Sequence, residues 1–156
     1  MKRLILMTML CLGVMTCFAQ RKLIYCSCAY NNHGLPVGEI SHSYYELIAD
    51  KGKKPYVVYC EERGGDPEKK KYPVKEKDVT ALYDILQNLK IEDLDGYNVS
   101  EDMTGGTSYR IHVEYADGRK VTASWFTHAP MGEAVKAYQT ILRFLSNQTK
   151  KNQKKK

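Results

Sequence analysis

The chain has 156 residues, 43% of them hydrophobic, with 24 Lys and Arg against 18 Asp and Glu and a formal net charge of +6. Two basic residues lie in the first three positions and five in the last eight, so the segment between these ends carries 17 basic and 18 acidic residues. This near balance argues against a nucleic-acid-binding core, which would carry clustered Lys and Arg. The length suits one domain with its own hydrophobic core.

The N-terminal segment has the pattern of a secretory signal peptide. Two basic residues follow Met1, an apolar run covers 4–15, and small residues at positions 17 and 19 precede Gln20. The run is too short for a stable membrane anchor, and neither Cys11 nor Cys17 follows the small residues that lipid modification requires. We therefore predict a signal peptide over 1–19 and export to the periplasm or the outside of the cell.

Three strands are predicted at the start of the mature chain. Residues with high β-propensity dominate 21–30, 39–49 and 55–60, and turn-forming residues separate these segments. Short connections favour an antiparallel meander, although the register across the turn at 50–52 stays open. The charged run over 67–72 is predicted as an exposed loop.

From position 74 the apolar spacing becomes helical. A first helix is predicted with one apolar face, and Gly96 lies just beyond its end. The residues of that face are Val79, Leu82, Tyr83, Leu86 and Leu89. A second helix is predicted to begin at Pro130, since apolar residues recur at three- and four-residue spacing as far as Leu145.

A β-hairpin is predicted between the two helices, over 109–125. A two-residue turn would place the apolar side chains of its two strands on opposite faces of the sheet. A three-residue loop over 116–118 instead pairs Val113 with Val121, and likewise 111 with 123 and 109 with 125, so that both apolar sets share one face. We therefore predict the three-residue loop, with a bulge at Gly118.

These elements give the order β-β-β-α-β-β-α. The prediction is an α+β fold, a two-layer sandwich in which both helices cover one face of a mainly antiparallel sheet. A single domain would occupy 20–148. The tail over 149–156 has no apolar side chain to bury and is predicted to be disordered.

The pattern formed by Asp95, Gly96, the strand and turn over 108–118, Ala123 and Pro130 is similar to that of small secreted proteins of Bacteroidota type. The resemblance covers roughly residues 44–145. It implies the same fold class and export, and it carries over no functional residue.

Cys26, Cys28 and Cys60 remain after removal of the signal peptide, and three interpretations of them are open. They are small apolar core residues, or they include a structural disulfide, or they form a thiol-redox or soft-metal site with His42 or His33. In a simple meander Cys60 lies two strands from Cys26, beyond the reach of a disulfide. No complete zinc-binding pattern is present, and we predict no cofactor.

No catalytic constellation is evident. His112 lies between Arg110 and Glu114 on the polar side of its strand, where a general acid–base role is conceivable. An exposed sheet face would show the same residues without any chemistry, and we favour that interpretation. Neither a nucleophile elbow nor a phosphate-binding loop is present.

Tyrosine provides the strongest functional signal, with 12 Tyr against 3 Phe and 1 Trp. Adjacent residues of a strand point to opposite faces, so Tyr44 and Tyr45 cannot both lie under the helices. Tyr is enriched at recognition surfaces. We therefore predict an exported, non-catalytic module that binds a protein or a glycan through a Tyr-rich open sheet face, with Tyr25, Tyr44 and Tyr59 as candidates. Inhibition of an envelope or host hydrolase is the alternative.

The lysine-rich end of the chain has two interpretations. Its basic residues are Lys150, Lys151, Lys154, Lys155 and Lys156. They contact anionic lipid headgroups or acidic glycans, or they form a solvated end that keeps the protein soluble. No nucleic-acid partner is predicted.

Overall fold

The structure, a computed structural model, describes residues 22–32, 41–63, 67–99, 106–126 and 132–153. The elements in chain order are β1 (Leu23–Asn32), β2 (His42–Ile48), β3 (Tyr56–Glu62), β4 (Glu68–Pro73), α1 (Glu76–Asn88), a short 3-10 helix (Ile91–Leu94), β5 (Asn98–Val99), β6 (Thr107–Tyr115), β7 (Lys120–Phe126) and α2 (Glu133–Gln153). The strands form one sheet in the order β4-β3-β2-β1-β6-β7-β5. Neighbouring strands are antiparallel except for β5 and β7. The α+β class and the mainly antiparallel sheet are as predicted.

Two strands were not predicted. The charged run over 67–72, predicted as a loop, forms the edge strand β4, in which Tyr72 pairs with Val57 of β3. Its lysines are exposed, and charged side chains at a sheet edge discourage pairing with strands of other molecules. This explains why an edge strand has the composition of a loop. β5 has only two residues, too few to produce a recognisable alternation.

The predicted hairpin is confirmed. Tyr109 pairs with Trp125 and Val113 with Val121, the register that the three-residue loop requires. Gly118 has a φ of 90° and donates its N–H to the Tyr115 carbonyl at 3.0 Å. All four paired side chains lie on the face that packs against the helices.

Both helices cover the same face of the sheet, as predicted. Alternate residues of the central strands point towards α1 and α2, so the buried apolar side chains form one cluster between the two layers. In that cluster Cys26 of β1 lies in one cross-strand row with Leu47 of β2 and Val113 of β6. The helices contribute Leu82, Leu86, Ile141 and Leu145, all fully buried.

α2 crosses the sheet from β6 and β7 to β4. Near its N-terminus the Tyr138 ring contacts the ring of Tyr109 at a centroid distance of 5.1 Å. At its C-terminus Asn152 Nδ2 donates to the Pro73 carbonyl at 3.1 Å, and Gln153 Nε2 contacts the Tyr72 hydroxyl at 3.3 Å. A helix of this length spans about 30 Å, enough to cross five strand spacings of about 4.8 Å.

The disorder predicted for the start of the tail is therefore wrong over 149–153. Gln148 and Thr149 are each only 5% exposed, because they lie where α2 meets the sheet. Because these positions are polar, the apolar spacing predicts the helix only as far as Leu145, two turns too early.

The signal peptide over 1–19, Pro130 and the last three lysines lie outside the described residues. No helix in the described part of the chain is long and apolar enough to cross a membrane.

Gly118→Ala is expected to reduce the free energy of unfolding by about 1 kcal/mol, because an L-residue is strained at a φ of 90°. Gly132→Ala is the matched control, since a Cβ at Gly132 meets no atom within 4 Å and its φ is not in the left-handed region. Urea denaturation measures both variants. Equal stability of the two would contradict the assigned loop.

Truncation tests the C-terminal extension of α2. A chain ending at Gln153 keeps every contact that the structure describes for α2 and is expected to match the full chain in stability. A chain ending at Asn147 should lose about 1–3 kcal/mol, because it removes the buried Gln148 and Thr149 and the contacts to β4. Thermal unfolding followed by circular dichroism measures both. Similar midpoints for all three chains would mean that the last turns do not contribute to the fold.

Candidate functional site

The sheet face opposite α1 and α2, which we call the open face, is not covered by any other described element. Strand alternation places Tyr25 of β1, Tyr44 of β2 and Tyr56 of β3 on it. Arg110 and His112 of β6 lie on the other side of the central strand. The open face therefore combines aromatic rings with charged side chains, and it also carries apolar residues such as Val58 and Cys60.

Tyr25 is held in place on both sides. Its hydroxyl donates to Glu46 Oε1 at 2.8 Å, and its ring lies 5.6 Å from the His112 ring at an interplanar angle of 59°. Glu46 and His112 are both cross-strand neighbours of Ser27, so the Tyr25 ring lies over Ser27, which is only 9% exposed. Partial burial raises the pKa of Tyr25, and the hydrogen bond to the Glu46 carboxylate raises it further. The hydroxyl therefore stays protonated and remains a donor at neutral pH.

His112 makes hydrogen bonds through both ring nitrogens. Nδ1 lies 2.9 Å from Thr122 Oγ1 and Nε2 lies 2.9 Å from Glu114 Oε1, which also accepts from Lys120 Nζ at 3.0 Å. The hydrogen bonds from His112 and then Lys120 lower the pKa of Glu114. Thr122 was not identified from the sequence. The register that pairs it with His112 is the signal that could have revealed it.

Thr122, His112 and Glu114 supply the hydroxyl, imidazole and carboxylate of an acyl-transfer site, but the oxyanion-binding groups of such a site are not beside them. Such a site needs backbone N–H groups that converge on the developing oxyanion. The strand residues around His112 instead have their backbone groups in the ladders to β1 and β7, in the plane of the sheet. The contacts of His112 instead hold its imidazole and the neighbouring Tyr25 ring in fixed positions.

Tyr44 lies on the other side of the central strand. Its ring is 5.3 Å from the His42 ring, and its hydroxyl interacts with the Cys60 thiol and with Lys69, its successive neighbours on β3 and β4. Burial and then the contact with Cys60 raise the pKa of Tyr44, although Lys69 opposes the shift. Between Tyr44 and Arg110 the central strand has only Ala29, which pairs with both residues.

Tyr59 does not share the open face with Tyr25 and Tyr44. It stacks on Tyr45 at a centroid distance of 4.6 Å, on the face that carries the helices, and its hydroxyl donates to the Glu61 carboxylate. The cause is the register between β2 and β3, in which Tyr45 and not Tyr44 pairs with Tyr59. As predicted, the adjacent Tyr44 and Tyr45 lie on opposite faces.

The three cysteines are free and buried, and they are divided between the two faces. Cys26 and Cys28 point towards the helices, whereas Cys60 points to the open face beneath Tyr44. His42 also lies on the open face, where its ring contacts Asn31. The structure thus brings together neither a disulfide with Cys60 nor a site of Cys26, Cys28 and His42. Among the described residues no three His, Cys, Asp or Glu side chains cluster as metal ligands would.

The thiol chemistry of the core pair is also unfavourable for redox function. Burial raises the pKa of Cys26 well above its usual value, and it raises the pKa of Cys28 to about 12. A reactive cysteine requires a lowered pKa and access to solvent. Both residues have the properties of small apolar core side chains.

Of the tail lysines, the structure describes Lys150 and Lys151. Both are exposed and lie in the last turns of α2. Lys154, Lys155 and Lys156 lie outside the described residues.

Comparison with models of known protein families and with curated proteins finds no match for this chain.

Alkylation tests the placement of the thiols. In the native protein at pH 8, Cys26, Cys28 and Cys60 are expected to resist iodoacetamide, because all three are at most 1% exposed and the raised pKa of the core pair leaves little thiolate. Raising the pH towards 9 should increase the rate only slightly. In urea all three should react, as counted by intact mass. Rapid native labelling of Cys26 or Cys28 would instead indicate an accessible, reactive pair.

Proposed function

We propose that the protein is an exported, non-catalytic binding module that recognises a protein partner through the open face. The observation that supports this most directly is the arrangement of Tyr25, Tyr44 and Arg110 on the uncovered side of the central strands. Tyr and Arg are the residue types that most often dominate binding energy at protein interfaces. The N-terminal sequence pattern supports export.

The open face has the dimensions of a protein interface. Six spacings across the sheet give a width of about 29 Å, and seven-residue strands give a length of about 23 Å, so the face covers roughly 670 Å². A standard interface buries about 800 Å² on each partner. A sheet face of this area suits a protein better than it suits a single sugar, which would need a concave pocket. A glycan is the alternative ligand, and the experiment below tests for it in parallel.

The side chains of the open face are held in place before binding. Tyr25 is fixed by Glu46 and His112, and His112 in turn is fixed by Thr122 and Glu114. Ordering of side chains is one of the costs of association, at about 0.5–1.5 kcal/mol for each side chain. A face whose rings already have partners avoids part of that cost. Arg110, which has no ion pair within the described ranges, remains available to a carboxylate of the partner.

The experiment compares wild-type protein with Tyr44→Ala and with Arg110→Ala. Each is immobilised and exposed to solubilised envelope proteins after reversible cross-linking, and in parallel to a glycan array. We expect both substitutions to reduce capture of the same protein at least tenfold, as removal of a central contact of about 2 kcal/mol would do. Both should leave the free energy of unfolding within about 1 kcal/mol of wild type, because neither side chain is part of the core cluster.

Tyr59→Ala is the matched control, since it removes the same side chain from the opposite face. It is expected to lower stability through loss of the stack on Tyr45 and to retain capture. Loss of binding in Tyr59→Ala with retention in Tyr44→Ala would move the site to the helix-bearing face. Binding confined to the glycan array would replace the protein partner by a glycan.

A further inference from the structure

Three lysine-containing segments, distant in sequence, meet at one corner of the molecule. They are the turn between β2 and β3, the stretch from β4 to the start of α1, and the end of α2. Six exposed lysines of these segments form what we call the basic corner: Lys54, Lys69, Lys71, Lys75, Lys150 and Lys151. The sequence suggested a role only for the last two, as part of a disordered tail.

Hydrogen bonds between the segments fix this juxtaposition. The N–H of Val74 donates to the Pro55 carbonyl at 3.0 Å, which ties the start of α1 to the turn that contains Lys54. The side chain of Asn152 donates to the Pro73 carbonyl at 3.1 Å, and Gln153 contacts Tyr72 at 3.3 Å. These contacts place the end of α2 against the end of β4. The lysines of the corner therefore lie on segments that are held together by the fold.

The lysines of the basic corner form no ion pairs within the described part of the chain. Lys70 pairs with Glu68 at 2.8 Å and Lys53 with Asp50 at 3.2 Å, but none of the six lysines of the corner forms an ion pair there. Lys71 lies over the Tyr56 ring at 5.3 Å and Lys69 contacts Tyr44, so both lysines are positioned through neutral groups. A concentration of unpaired like charge opposes folding and attracts a polyanion.

The shape of the corner favours a flexible chain over a flat surface. Lys69 and Lys71 point to the open face, Lys54 and Lys75 lie at the end of the sheet, and Lys150 and Lys151 lie in the helix layer. A planar bilayer could meet only one of these three sides at a time. A linear polymer can follow all of them.

The described part of the corner also lacks a free helix N-terminus, which would bind phosphate, and exposed aromatic rings, which would stack on bases. α1 begins there, but its first turn carries Glu76 and Asp78, and Asp78 accepts the N–H of Lys75 at 3.0 Å, so this helix N-terminus is already occupied by acidic groups. Single-stranded nucleic acid would need exposed rings for stacking, whereas Tyr56 is covered by Lys71 and Tyr72 is half-buried.

We propose that the basic corner binds an acidic polysaccharide, with its lysines contacting carboxylate or sulfate groups along the polymer. This site adjoins the open face at β4 but uses different residues, so it goes beyond the function proposed above and does not depend on it. The binding is electrostatic and should weaken steeply as salt concentration rises.

Two double variants test the corner from its two main elements, Lys69→Gln with Lys71→Gln and Lys150→Gln with Lys151→Gln. The probe is polygalacturonate, with neutral dextran as the control polymer, and affinity is measured by biolayer interferometry at two salt concentrations. We expect each pair to weaken binding at least fivefold. The matched control, Lys90→Gln with Lys136→Gln, removes the same charge far from the corner and should weaken binding less than twofold.

The outcomes separate this site from the other possibilities. Equal loss in the control and the corner variants would show attraction to net charge alone and would overturn the proposal. Tighter binding to phosphatidylglycerol vesicles or to a DNA oligonucleotide than to polygalacturonate at the same salt would overturn it as well. Arg110 lies four strands from β4, and Arg110→Ala is expected to weaken polygalacturonate binding less than twofold, so failure of the open face to bind a protein leaves this result intact.

Discussion

The register of the central strand β1 is the constraint on which the rest of the structure depends. Cys26 and Cys28 point to the helices, and their cross-strand neighbours on β2 and β6 must then do the same. A shift by one residue would turn Tyr25 and Ser27 towards the helices and turn Cys26 and Cys28 towards the open face. The whole division of the molecule into a packed face and an open face follows from this alternation, because every other strand is paired, directly or through its neighbours, to β1.

The sequence was sufficient to predict those parts of the fold in which only one arrangement buries the apolar side chains. In the hairpin, only one loop length brings Val113 and Val121 to the same face, so the register followed from the pattern. The two amphipathic helices were predicted for the same reason. β4 was not predicted because edge strands carry charged residues, here lysines, that prevent pairing with further strands. Such a composition resembles that of an exposed loop. The last turns of α2 were missed because Gln148 and Thr149 are buried as polar residues, which apolar periodicity does not detect.

The candidate site was predicted only in part, for a related reason. That Tyr44 and Tyr45 would separate is a local property of any strand, so it was predictable. Which of them would share a face with Tyr59 depends on the pairing of β2 with β3 across the turn at 50–52, and the sequence left that pairing open. The basic corner could not be predicted at all, since it arises where a helix crosses the whole sheet and returns to a strand some eighty residues earlier in the chain.

The one-sided burial of the sheet has a consequence for how such a protein diverges. Along each central strand, every second residue is held by close packing against the helices and accepts few changes. Apart from the buried Ser27, Val58 and Cys60, the residues between them touch mainly one another and solvent, so they are free to drift in size, charge and polarity without endangering the fold. A lineage that keeps this scaffold should therefore show two rates of change interleaved along a single strand, and it can acquire a new ligand without altering a single packed position.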